Sequence, residues 1–163
     1  MKLQEINESF RIDVGAPVPV VLSSEYKTYL IFYTQSVDPN WDGTTVHHRD
    51  KADSGVITIE FERVGQYKFG SPNDEAIDGH PYYSLGLRPY SIFEVEDSDW
   101  IEQLRRMNSV HPYHRDEVFD CYHHYIFFFH DSCFEIVCYG YEVMTDSLET
   151  MKEEVERISK LLN

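Results

Sequence analysis

CYHHYIFFFHDSCFEIVCYGYEV, residues 121–143, decides the fold class. Counting by twos along an extended chain, Tyr122, His124, Ile126, Phe128 and His130 share one face. His123, Tyr125, Phe127, Phe129 and Asp131 share the other. Both faces are apolar in the middle and polar at the ends, the pattern of a central strand with wetted rims. His130, Asp131 and Ser132 supply a tight turn. The spacing therefore predicts an antiparallel hairpin of Cys121–His130 and Cys133–Val143. In the second of these strands Cys133 and Cys138 are an odd number of positions apart, which sets them on opposite faces.

Working outward, further short runs rich in Val, Ile, Tyr, Phe and Thr recur between Gly, Pro, Asn and Asp clusters. Strands are expected at Val18–Ser23, Lys27–Thr34, Thr44–His48, Gly55–Val64 and Tyr90–Glu96. Two helices are expected. In the first, over about 98–108, Trp100, Leu104 and Met107 share a face, Asp99 with Glu102 offers a capping box, and Asn108 suits a left-handed C-cap. In the second, over about 146–162, Leu148, Met151, Val155, Ile158 and Leu162 recur at intervals of three and four. That stripe packs on an open sheet face or, on the same spacing, forms a homodimer seam. The fold class is α+β, mainly β: one domain over 1–163, an antiparallel sandwich or barrel with an internal and a C-terminal helix.

Composition bounds the partners. The 163 residues carry 29 acidic and 14 basic side chains, a formal charge of −15. With no basic stripe, nucleic acid is excluded as a direct partner, and anionic membrane surfaces are disfavoured. Twelve Tyr, ten Phe and two Trp exceed the needs of an average core, so some are expected to line a pocket. The N-terminal MKLQEINESFRID alternates polar and apolar residues and has no signal-peptide core. The longest apolar stretch, Tyr125 to Phe129, is strand-sized. Three cysteines without CxxC spacing point to reduced thiols and a cytoplasmic location.

Candidate site residues gather in three places. The long polar stretch from Phe69 to Tyr90 carries Asn73, Asp74, Glu75, His80, Arg88 and Tyr90, a set able to position a polar ligand. Structural roles are equally open to it: Asn73 and Asp74 capping a turn, Arg88 pairing with a carboxylate. HPYH brings His111 and His114 three residues apart, but Pro112 holds His111 toward an extended conformation. The hairpin rim offers His130 and Asp131, with Glu135 on the return strand. For a divalent metal, His80, His111, His114 and His130 are the candidate ligands. No GxGxxG, P-loop or GxSxG motif is present.

The segments WDGTTV, PNDEAIDGHPYYSLGLRPYSIFEVEDSDWIEQLRRMNSVHPYH and HHYIFFFHDSCFE resemble a family of small uncharacterised bacterial proteins with GHP, LRPY, HPYH and YIF-FHDS-FE blocks. The likeness runs from Trp41 to Val143, and Cys133 stands where that family is expected to have Thr. It implies this segmentation and no activity. On the residues themselves, the expected function is binding of a small polar ligand in a pocket built from the Phe69–Tyr90 loop, HPYH and the His130 hairpin. A metal-assisted hydrolase or isomerase with Glu75 or Glu135 as base is the alternative. The charge adds a third reading, an acidic, immunity-like protein that binds a basic partner.

Overall fold

The computed structural model describes residues 1–35, 55–144, 146–148 and 150–162. The expected strand Thr44–His48 lies outside them. The nine described strands are β1 (Lys2–Ile6), β2 (Val20–Ser23), β3 (Thr28–Tyr33), β4 (Val56–Glu62), β5 (Gln66–Gly70), β6 (Ser91–Glu96), β7 (His123–Phe128), β8 (Cys133–Cys138) and β9 (Gly140–Met144). They form two antiparallel sheets, ordered β1-β6-β7-β8-β5 and β2-β3-β4-β9. The architecture is an open sandwich and not a closed barrel. No helix of the described residues is long and apolar enough to cross a membrane.

The expected strand Cys133–Val143 is in fact two. Its first half, β8, lies between β7 and β5; its second half, β9, pairs with β4 in the other sheet. The chain changes sheet at Tyr139, whose N–H bonds Glu62 O at 2.8 Å. A continuous alternation of side chains hides such a crossing, because the backbone stays extended through it. Two strands also escape the apolar-run criterion, β1 and β5. Both are edge strands, more than half of whose residues are exposed, and an edge needs a smaller apolar face.

β7 is third of five and covered on both sides, which explains its two apolar faces. Tyr125, Phe127 and the adjoining Phe129 pack inward with Leu30, Phe32, Ile59 and Phe61 of the opposite sheet. Ile126 and Phe128 pack outward with Leu87, Phe93 and Val95. Cys133 belongs to the outer cluster and Cys138 to the inner, on opposite faces as their spacing requires.

α1 (Asp99–Asn108) covers part of the outer face. Its N-cap is Ser98, one residue before the Asp99 expected from sequence, and the helix ends at Ser109 without a left-handed cap. Ser98 wins because its short hydroxyl reaches two amides, those of Trp100 and Ile101. Trp100 docks the helix: its indole N–H donates to Gln66 at 2.7 Å, and Lys68 Nζ lies 3.8 Å from its ring centroid.

α2 (Met151–Ser159) starts later than the apolar spacing predicts, at the N-cap Thr150. Its Met151, Val155 and Ile158, with Leu162 beyond, lie on Tyr29, Ile31 and Val56, on the outer face of the second sheet. Four of the five stripe residues are thus used within the chain, while Leu148 is 40% exposed. Glu154, fully buried beneath α2, accepts from Thr58, from Leu148 N–H and from the Arg157 guanidinium. Burial raises its pKa, but these donors outweigh that and hold it below the usual carboxylate value.

Candidate functional site

The stretch from Ser71 to Tyr90 is an ordered cover over the outer face of β7 and β8. Asn73 caps a 3-10 helix (Asp74–Gly79) by accepting Ala76 N–H, and a second short turn follows at Tyr83–Leu85. Ile77, Tyr82 and Leu87 turn inward onto the outer apolar cluster. Both ends of the first 3-10 helix grip the β7–β8 hairpin. Asp74 N–H donates to His130 O at 2.9 Å, and His80, at the C-cap, reaches Glu135.

Two polar constellations result. At the hairpin tip, Asp74 Oδ2 accepts from Tyr90 Oη at 2.6 Å and from His130 Nδ1 at 2.9 Å. Tyr90 and His130 rings stack, with 2.9 Å between Oη and Nδ1. The hydrogen bond to Asp74 raises the His130 pKa; bonds from Tyr90 and His130 lower that of Asp74. Burial, with the Asp74 bond, pushes the Tyr90 phenol up to about 12. Tyr90 holds a left-handed backbone, φ 58°, which is costly for an aromatic residue and aims its ring at this pair.

The second constellation lies under the cover. Glu135 Oε2 stands 3.0 Å from His124 Nε2, and Oε1 stands 3.5 Å from His80 Nε2. The other hydrogen bonds of the two imidazoles fix their tautomers. Ser98 Oγ already accepts two amide N–H groups, so its own hydrogen goes to His124 Nδ1, 2.8 Å away. Likewise Tyr82 N–H donates to His80 Nδ1 at 3.2 Å. Each imidazole therefore carries its proton on Nε2 and aims it at the carboxylate. Burial raises the Glu135 pKa, yet the two imidazoles and the Lys68 charge outweigh it and bring it down to about 2.

His80, Cys133 and Glu135 also bring one donor atom each within 4.8 Å of one another. The donor chemistry suits a metal poorly. A ligating His80 Nε2 would leave a proton on Nδ1, facing the Tyr82 amide hydrogen. Burial has also raised the Cys133 thiol far above its ordinary value.

The remaining candidates are placed elsewhere. Glu75 and Asp131 are exposed near the hairpin tip. Arg88 pairs with Glu5 of β1. HPYH forms a turn after α1, where His114 is held by Asn108 and Asp116, and His111 is exposed and accepts Tyr113 N–H. Neither histidine joins Glu135 or His130, because local hydrogen bonds satisfy both within the turn. Asp74, His124 and Ser98 complete the two constellations. In the sequence Asp74 belongs to the polar set of the Phe69–Tyr90 stretch, and His124 shares a face with His130 and is one of several possible third metal ligands; nothing in their spacing marks the contacts they make.

A cleft of about 450 Å³ adjoins Tyr90. It opens where the chain passes from the first sheet to the second, between the end of β1, the segment Asn7–Val14, Gln35 and the start of β6. Its floor is apolar, with Ile6, Phe10, Ile12 and Ile92. No protein-family model, curated protein or solved structure matches this chain.

Proposed function

We propose that this domain binds a small polar ligand in the cleft beside Tyr90. The observation that carries the reading is the coupling of the cleft to a preset polar group. Tyr90 lines the cleft, and its hydroxyl is held by Asp74 and His130. A volume of about 450 Å³ with an apolar floor and a largely polar wall, Glu5, Asn7, Glu8, Arg11, Gln35, Tyr90 and Ser91, suits a small polar molecule. The pocket lies on the β1–β6 side of the hairpin, and HPYH takes no part in it. Native mass spectrometry of freshly purified protein tests the reading. A retained small molecule is expected, and Val14→Trp, which fills the cleft from an exposed lining position, releases it. Retention unchanged in Val14→Trp sinks the proposal.

A metal-assisted hydrolase or isomerase is the second reading, favoured by the approach of His80, Cys133 and Glu135. The imidazole protons aimed at Glu135 weigh against it. Elemental analysis after growth in zinc- and manganese-supplemented medium separates the two.

A further inference from the structure

Resting on that reading, we infer that the ligand class is a zwitterion of the amino-acid type, a carboxylate and an ammonium on an apolar body. Among the described residues, the charges that line the cleft are Glu5, Glu8 and Arg11. Glu5 is already paired with Arg88. Glu8 uses Oε1 to accept the Tyr141 hydroxyl at 2.5 Å, and among the described residues nothing compensates its charge or bonds its second oxygen. Arg11 has no ion-pair partner among the described residues. Among the described residues the cleft therefore presents one unpaired cation and one uncompensated anion, three residues apart in sequence and not bonded to each other.

A guanidinium binds a carboxylate through paired N–H donors, and a carboxylate oxygen accepts from an ammonium. Between the two charges lies the apolar floor of Ile6, Phe10, Ile12 and Ile92. The overall field narrows the choice. With a formal charge of −15, the protein repels a simple anion, while a simple cation makes no use of the exposed Arg11 guanidinium. A molecule with no net charge and both groups satisfies Arg11 and Glu8 together. Asn7 and Gln35, also in the lining, offer amides to the same polar groups.

The probes are free leucine and phenylalanine, their methyl esters and their N-acetyl forms, titrated by NMR against the full chain. The free amino acids are expected to shift the amides of Arg11, Gln35 and Tyr90. Each blocked form should bind about tenfold more weakly or worse, the loss of one charged hydrogen-bonded contact. Arg11→Gln should remove the preference over the ester. Glu8→Gln, which keeps an oxygen for Tyr141, should remove the preference over the N-acetyl form. Esters or N-acetyl forms binding as well as the free amino acid overturn the inference, as does no binding by any probe. If a different molecule is retained and Val14→Trp releases it, the ligand class fails while the binding reading stands.

Discussion

Replacing Glu135 by Gln tests the constellation under the cover most directly. The carboxylate side chain is 13% exposed, bonds His124 Nε2 at 3.0 Å and faces His80 Nε2 at 3.5 Å. Its pKa falls from the ordinary 4.5 to about 2, a difference worth about 3 kcal/mol of folding stability. Because the folded value lies below the unfolded one, that stabilisation is complete above pH 4.5 and is lost as pH falls toward 2. Gln keeps the shape, but its amide can accept from only one imidazole and turns its own N–H₂ toward the other. A loss of about 3 kcal/mol at pH 7 is therefore expected. Urea unfolding of both proteins, repeated from pH 7 to pH 3, measures it. The gap between them should narrow as pH falls below 4.5 toward 3, where the carboxylate of the unfolded chain is protonated first and part of the ionised form's advantage is lost. Glu75→Gln, exposed on the same cover, serves as the control and should stay within about 0.5 kcal/mol. If Glu135→Gln also stays within that margin, or its deficit does not change with pH, the tautomer assignment is wrong.

Ser98→Ala removes both the N-cap of α1 and the donor to His124 Nδ1, and should cost about 2 kcal/mol in urea unfolding; a loss below about 0.5 kcal/mol would mean that water replaces both contacts. Glu154→Ala strips Thr58 and Arg157 of their buried acceptor and should cost about 3 to 4 kcal/mol. Unchanged hydrogen-exchange protection across α2 in that variant contradicts the anchoring role. Asp74→Asn should lower the His130 titration midpoint seen by NMR, since Asp74 is the main cause of its rise above 6.5. In the parent, the pair's contribution to stability is complete below pH 6.5 and lost as pH rises through the folded value, so the stability difference between the two proteins should shrink on that side. Added Zn²⁺ should leave the melting temperature in place, because both imidazoles carry their proton on Nε2; a rise that grows with ZnCl₂ concentration refutes this.

Local pattern was enough for much of the β framework. The double-sided apolar character of Tyr125 to Phe129 announced a central strand, and the offset of Cys133 and Cys138 announced their opposite faces. Tyr29, Ile31 and Val56 explain why the stripe of α2 had to be covered by its own sheet. Alternation and helical spacing report which side of an element is buried, since burial acts residue by residue. They do not report what lies on that side. The crossing at Tyr139 left no mark because an extended chain alternates the same way in one sheet or two. Pairing register and the path of the Ser71–Tyr90 cover brought Asp74 to His130, and His80 and His124 to one carboxylate. These encounters join residues that are far apart in the chain, by hydrogen bonds whose partners were alternatives of equal merit in sequence. Only the packing of one sheet on the other, with a cover laid over both strands of the hairpin, chose among them.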